Sequence, residues 1–292
     1  MESRPSNKPV LPPGPGWWLA QDASLGLYGP IQYIRSLTET EFELLLDAVK
    51  FVQSVGYPQE ARPLDEAYGE WLGRIDTGAS SLPSPTAYLH KLMADALVSF
   101  LLSWRMALDH LARATSHRFG KASEQWEVFE AARRRAYDTY LGYRVVDAMR
   151  NCVQHQGSPP LAVDLITLPY VCQKCGKEHA SYDLSVEIPA QWLLDYDRCP
   201  RILKQDLADR PDELLDMKIM TAQAMQGIKD ILYARLITYD RAVEHINVLV
   251  DTFRQAGSNP GLVAGASCRR LSHLAWIIER AERLPGPHSG SR

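Results

Sequence analysis

An arginine, an asparagine and a histidine in the segment Arg150-Asn-Cys-Val-Gln-His155 have the types and spacing to do chemistry. On an α-helix, Asp147, Asn151 and His155 share one polar stripe, and Arg150 lies about 100° from Asn151 around the axis. Arginine is long enough to bend back over that stripe. A phosphate bound there would receive the planar fork of Arg150 and an amide contact from Asn151. His155 would then serve as general base or acid near neutral pH.

This set of side chains is suited to cleaving RNA without a metal ion, because the ribose 2′-hydroxyl supplies an internal nucleophile that DNA lacks. If His155 lies in a last helical turn, the negative end of the helix dipole favours its protonated form. The same spacing recurs in Arg105-Met-Ala-Leu-Asp-His110. That second pair falls inside a long apolar helix, so we interpret Arg105 and His110 as surface or packing residues, with Asp109 as the alternative orienting partner.

The motif lies at the end of one helix in a series of amphipathic helices. Ser84-Pro85 starts a long apolar stripe that runs toward Gly120, and two shorter helices follow, from Ser123 to about Tyr137 and from Tyr140 to His155. Gly157-Ser-Pro-Pro160 stops the last of them, since glycine accepts a left-handed conformation and proline cannot continue a helix. Short connections make such neighbouring helices antiparallel.

The whole chain is predicted to be mainly α, an antiparallel helical bundle with a small β-hairpin insert. Thr38 and Glu41 form a capping box that begins the first helix. The alternating pattern after residue 161 predicts two strands, and helical periodicity returns in long segments at about 212–253 and 262–284. The predicted parts are a disordered tail (1–20), a helical bundle with the motif (21–160), a β-hairpin (161–188), C-terminal helices that complete the bundle (189–284) and a second disordered tail (285–292).

A Cys-x-x-Cys pair lies at the predicted hairpin turn. Cys172-Gln-Lys-Cys175-Gly resembles one zinc knuckle, which supplies two of the four ligands of tetrahedral zinc. His179 and Cys199 are the nearby candidates for a third and fourth ligand, and completion across a dimer is another arrangement. The alternative is a hairpin turn that binds no metal. Five cysteines in 292 residues argue against a disulfide framework.

Composition excludes a strongly basic nucleic-acid binder. The net charge is −3 and charged residues make up 23% of the chain, so contact with nucleic acid must be local. Arg133-Arg134-Arg135 and Arg144 supply such local charge near the motif, although an arginine run is also typical of a solvated helix face. We find no secretory signal, and the most apolar stretch, 94–102, is too short to span a bilayer. We therefore expect a cytoplasmic protein without a membrane partner.

The segment Arg150-Asn151-Cys-Val-Gln-His155 resembles the motif of the HEPN superfamily, an arginine and a polar residue followed after four to six positions by histidine. The resemblance extends over roughly residues 84–160. It implies a metal-independent endoribonuclease with catalytic Arg150, Asn151 and His155, which needs no cofactor and dimerises so that two motifs line one cleft. It also implies RNA as partner and a role as a toxin or antiviral (abortive-infection) effector restrained by an antitoxin or regulator. Because other members are inactive, the alternative is a non-catalytic RNA- or protein-binding module.

Overall fold

The structure is a computed structural model, and it describes residues 17–22, 31–56, 62–80, 86–171, 176–256, 260–264, 267–270 and 277. The chain divides into two compact units, one formed by residues 58–231 and the other by residues 1–57 together with 232–292. Helices dominate the described residues and short antiparallel strands accompany them, so the predicted fold class, mainly α with a small β insert, is confirmed. No described helix has the length and apolar character needed to cross a membrane.

The elements are numbered in chain order. They are β1 (Trp17–Asp22), β2 (Ile31–Leu37), α1 (Glu39–Phe51), a π-helical turn (Val52–Gly56), α2 (Arg62–Ser80), α3 (Thr86–Phe119), α4 (Glu124–Thr139), α5 (Leu141–Gln156), β3 (Ala162–Val171), β4 (Glu178–Pro189), α6 (Ala190–Leu194), α7 (Arg201–Leu207), β5 (Leu214–Asp216), α8 (Met217–Leu236), α9 (Ala242–Ala256), β6 (Pro260–Ala264) and β7 (Ser267–Arg270).

Local capping signals fix where the first helices begin. The Thr38 hydroxyl accepts a hydrogen bond from the Glu41 amide at 3.2 Å, and the Glu41 carboxylate accepts one from the Thr38 amide at 2.8 Å. This reciprocal pair confirms the predicted capping box of α1. Ser123 caps α4 through its side chain alone, because its hydroxyl accepts a hydrogen bond from the Trp126 amide at 3.1 Å.

The predicted hairpin between residues 161 and 188 is confirmed as β3 and β4. The two strands pair antiparallel from Ala162 opposite Glu187 to Val171 opposite Glu178. Along the second half of β4 the buried side chains alternate with more exposed ones, which is the period of a strand with one face against a core. The short strand β5 pairs with the end of β4 and makes the sheet three-stranded in the order β3-β4-β5.

The unit formed by residues 1–57 and 232–292 contains a four-stranded sheet in the order β2-β1-β6-β7. Strand β1 takes up residues 17–20, which belong to the segment 1–20 predicted to be disordered. Strands β6 and β7 occupy residues 260–264 and 267–270. The predicted helix from residue 262 is therefore wrong over these described residues.

The core of the same unit lies where α1 packs on α9. It consists of buried aliphatic side chains from both helices and the end of α8, including Leu45, Val49, Leu236 and Leu249. The helix predicted over residues 212–253 is broken between α8 and α9, where Arg241 adopts a positive φ of 61°.

Candidate active site

Helix α5 carries the motif and ends directly after it. The helix has 16 residues, from Leu141 to Gln156, and the Gly157 amide donates a hydrogen bond to the Val153 carbonyl at 3.2 Å. Gly157 has φ +90°, a conformation that favours glycine, so the predicted glycine stop is confirmed. His155 therefore lies in the last turn of the helix, as the sequence predicted.

Close backbone contact with α8 fixes the first turn of α5. A Cβ atom added to Gly142 would lie 2.2 Å from the Met220 carbonyl oxygen, so only glycine fits there. The Gly142 amide donates a hydrogen bond to the Gln223 side-chain oxygen at 2.8 Å. Two residues earlier, the Tyr140 hydroxyl donates a hydrogen bond to the Asp230 carboxylate at 2.9 Å. These contacts set the height and the rotation of the motif helix.

Aromatic packing fixes the same helix against α3. The rings of Trp104 and Tyr143 meet edge to face with centroids 4.9 Å apart. Burial raises the pKa of the Tyr143 hydroxyl, and the neighbouring Arg133 of α4 opposes that rise. Tyr143 thus lies between α3 and α4, one turn before Asp147 on the same face of α5.

The structure brings Arg150 and Asn151 together. The Arg150 Nη1 atom donates a hydrogen bond to the Asn151 Oδ1 atom at 2.9 Å, and both side chains are partly buried. The arginine therefore bends back toward the polar stripe, as its length allows. Its Nε atom is buried and has no acceptor among the described residues. A buried donor without an acceptor is unfavourable by about 1–3 kcal/mol.

Helix α5 does not by itself place His155 beside Arg150. Its side chain is exposed in the last turn. Five residues of helix rotate His155 by about 140° from Arg150, with Asn151 between them on the surface. A substrate that touched both side chains would have to lie across this face of α5.

Burial and three arginines act in opposite directions on Asp147 of the motif helix. Burial raises the pKa of the Asp147 carboxyl, and Arg105, Arg150 and Arg133 act in the opposite direction. The sequence did not predict the effect of Arg105 on the Asp147 pKa, because Arg105 belongs to α3 and its effect depends on how α3 and α5 pack. Its position four residues before Asp109 was the only local signal, and those two side chains do form an ion pair at 3.1 Å.

Of the basic residues predicted near the motif, Arg144 has a structural role. Its guanidinium is buried, pairs with the Asp206 carboxylate at 2.7 Å and donates hydrogen bonds to the carbonyl oxygens of Tyr137 and Asp138. It therefore ties the α4–α5 connection to α7. Arg134 and Arg135 are exposed, whereas Arg133 is partly buried and pairs with Glu130 of its own helix.

The predicted zinc ligands are only partly described. Cys172 and Cys175 lie outside the described residues, and the backbone of His179 in β4 pairs with that of Tyr170. Cys199 is a buried thiol before α7, and burial raises its pKa. Among the described residues, no three His, Cys, Asp or Glu side chains form a group that could hold a metal ion.

A second thiol lies near Cys199 in the structure. Burial, helped by the proximity of Cys199, raises the pKa of the Cys152 thiol on α5 to about 12. A thiol with so high a pKa stays protonated at neutral pH, so Cys152 is a packing residue beneath the motif rather than a nucleophile.

Comparisons of the chain with protein-family models, with curated proteins and with solved structures find no match. The chemistry of this face of α5 and the resemblance of its motif are therefore the basis on which a function is argued.

Proposed function

We propose that this protein is a metal-independent endoribonuclease of HEPN type that acts through Arg150, Asn151 and His155. The observation that carries the proposal is the 2.9 Å contact between Arg150 and Asn151. It presents a cation and an amide on one helix face, next to an exposed histidine. RNA cleavage needs these groups and no metal ion, because the nucleophile belongs to the substrate.

The reaction would be a transesterification within the RNA. The 2′-oxygen attacks the phosphorus and forms a new O–P bond while its proton passes to a base. The bond from phosphorus to the 5′-oxygen breaks, and an acid protonates that leaving oxygen. The products are a 2′,3′-cyclic phosphate and a 5′-hydroxyl. Arg150 would stabilise the charge that develops on the phosphoryl oxygens, and Asn151 would orient the guanidinium and the phosphate.

His155 would carry one of the two proton transfers. A single histidine cannot be both base and acid in the same step, so a homodimer in which two motifs face one cleft would supply the second histidine. This arrangement also accounts for the exposure of His155 in the single chain, since a partner would cover it. The structure contains one chain, and the homodimer belongs to the proposal.

A second candidate function is a non-catalytic module that binds RNA or a protein with the same helix face. The separation of His155 from Arg150 around the helix supports this candidate, because a catalytic acid must lie within hydrogen-bond reach of the leaving oxygen. The further proposals of a toxin or antiviral effector, restrained by an antitoxin or regulator, rest on the HEPN resemblance alone.

The test is cleavage of a single-stranded RNA by the purified protein in the presence of a chelator. We expect wild type to yield fragments that end in a cyclic phosphate, and His155→Ala and Arg150→Ala to lose at least about 100-fold in rate. His117→Ala is the matched control, since His117 is also an exposed histidine in the last turn of its helix.

Two outcomes would count against the nuclease. If His155→Ala cleaves as fast as wild type, the observed activity does not come from the motif. If no protein cleaves but RNA binding is lost in Arg150→Ala and kept in His155→Ala, the binding module is the correct function.

A further inference from the structure

Strand β3 is an open edge of the three-stranded sheet. The sheet order is β3-β4-β5, so β3 pairs on one side only, along all ten of its residues from Ala162 to Val171. On its other side, no residue in the described part of the chain forms a backbone hydrogen bond with it. Ile166 and Thr167 point to opposite faces of the strand, and both are exposed. An open edge of this length is a template for pairing with another strand.

Two local observations show which backbone groups of β3 point away from β4. Pro169 has no N–H, so a position that donates no hydrogen bond to β4 suits it. The amide of Leu184, which lies opposite Leu165, donates to the Asp183 carboxylate at 2.9 Å and is therefore turned away from β3. In an antiparallel ladder, hydrogen-bonded pairs alternate with pairs that face outward, and positions 165 and 169 share one parity. The outward N–H and C=O groups before Pro169 thus belong to Val163, Leu165 and Thr167.

These outward groups favour one antiparallel register between two copies of β3. When Leu165 lies opposite Leu165 of a second copy, Val163 lies opposite Thr167, and each pair exchanges both N–H and C=O hydrogen bonds. A shift of the register in one direction requires Pro169, which has no N–H to donate. A shift in the other direction requires Leu161, whose carbonyl oxygen already accepts a hydrogen bond from the His90 ring at 2.7 Å.

The side chains of β3 also fit this register. On one face the partly buried Leu165 meets its own copy. On the other face Asp164 lies opposite Ile166, so the two Asp164 carboxylates are not opposed. The two Ile166 side chains, each 45% exposed in the single chain, approach each other diagonally across the two-fold axis. Pairing of β3 with itself therefore covers an exposed isoleucine without placing like charges opposite each other.

We propose that β3 is a dimerisation strand, which pairs antiparallel with β3 of a second copy of this chain and joins two three-stranded sheets into one sheet of six strands. This dimer deepens the proposed function, on which the need for a second His155 rests, whereas the pairing itself depends on β3 alone. Six residues separate His155 from the start of β3, so His155 lies within about 25 Å of Ala162. Pairing through β3 therefore brings together the ends of two bundles that carry the motif.

The oligomeric state of the full-length protein tests this surface. Sedimentation equilibrium should show a wild-type dimer. Thr167→Pro should raise the dimer dissociation constant at least about tenfold, because it removes two symmetric N–H donors from the pairing. Proline is tolerated where the N–H faces away from the sheet, so the fold should survive. Val171→Pro is the matched control, since Val171 is exposed, has the same parity and lies outside the pairing.

A cysteine at the two-fold axis tests the register. The Cα atoms of a hydrogen-bonded pair are about 5.5 Å apart, a separation that a disulfide can span. Oxidised glutathione should therefore link Leu165→Cys into a covalent dimer on a denaturing gel. In Val171→Cys the two new thiols would lie about 40 Å apart in this register, so this variant should give no more covalent dimer than wild type.

Three results would refute the surface: a monomeric wild type at every concentration tested, a Thr167→Pro dimer as tight as that of Val171→Pro, or a Leu165→Cys variant that links no better than Val171→Cys. Circular dichroism separates loss of pairing from loss of fold, and if Thr167→Pro does not fold, the Leu165→Cys result decides.

The surface and the nuclease can fail separately. A monomeric wild type that cleaves RNA refutes the surface and leaves the nuclease. A wild-type dimer that Thr167→Pro weakens, and that cleaves no RNA, confirms the surface and counts against the nuclease.

Discussion

Gly142 is the position where a single methyl group should most disturb the helix that carries the motif. A Cβ atom there would lie 2.2 Å from the Met220 carbonyl oxygen and 2.7 Å from the Gln223 Cβ atom. Carbon and oxygen atoms normally approach no closer than about 3.3 Å, so α5 and α8 must separate by about 1 Å. The nearest atom is backbone and cannot rotate away. Gly142→Ala should therefore force the two helices apart.

The expected loss of stability is the sum of opposing effects. Overpacking costs about 1–3 kcal/mol, and weakening the 2.8 Å hydrogen bond from the Gly142 amide to Gln223 adds about 1 kcal/mol. The gain from replacing glycine by alanine in a helix is at most about 1 kcal/mol, and it is smaller in the first turn. Gly142→Ala should thus lower the free energy of unfolding by about 2–3 kcal/mol.

The assay is urea unfolding of the full-length protein followed by circular dichroism, with Gly69→Ala and Gly73→Ala as controls. Both control glycines lie in α2, and an added Cβ atom would have no neighbour within 4 Å. Each control should raise the free energy of unfolding by about 0.5–1 kcal/mol, because glycine is a poor helix former. If Gly142→Ala is as stable as these controls, the close approach of α5 and α8 is wrong.

Three further predictions concern charged groups. Arg144→Met should lower the free energy of unfolding by about 2–4 kcal/mol, because it leaves Asp206 and two carbonyl oxygens without their buried donor. The control Arg134→Met removes an exposed arginine and should change the free energy of unfolding by less than about 0.5 kcal/mol. Equal effects of the two variants in urea unfolding would contradict the structural role of Arg144. The raised pKa of Asp147 means that its charge opposes folding above that pKa, so Asp147→Asn should be the more stable protein at pH 7, and its advantage should shrink as the pH falls toward about 4. If the stability difference between Asp147→Asn and wild type grew as the pH fell, the raised pKa of Asp147 would be contradicted. Hydrogen bonds from Arg35 and Thr38 lower the pKa of Glu41 to about 2. The Glu41 carboxylate therefore stabilises the fold above its unfolded pKa of 4.5, and this stabilisation disappears as the pH falls from 4.5 to about 2. Glu41→Gln should be less stable than wild type at neutral pH and equal to it in strong acid, as thermal melts across that pH range would show.

Much of the helical framework was predictable because its signals are local. The Thr38–Glu41 capping box, the Ser123 cap and the glycine at 157 each act within one helical turn, and the structure has all three. The strands β6 and β7 were not predictable in the same way. A short apolar run such as 260–264 fits either a strand or a buried helix segment, and its partner β1 lies at the other end of the chain.

In the candidate site too, the features encoded within one helix were predictable and those that depend on helix packing were not. Arg150, Asn151 and His155 are visible in one helical segment, and the length of the arginine side chain allows Arg150 to bend toward Asn151. The electrostatic effect of Arg105 and Arg133 on the Asp147 pKa depends on how three helices pack, and no local pattern encodes it. Arg144 shows the opposite case: its proximity in sequence suggested an RNA contact, whereas a buried ion pair with Asp206 accounts for it.

The pairing of β1 with β6 has a consequence for synthesis on the ribosome. Trp18 lies opposite Val263, so β1 cannot pair with β6 until residue 263 has emerged, although β1 and β2 can pair earlier. At about 5–20 residues per second, roughly 10–50 seconds separate the two strands. During that interval the apolar face of α1 has no α9 to pack against. Residues 58–231 form a continuous stretch that can fold first. The motif helix would thus be able to form before β6 pairs with β1.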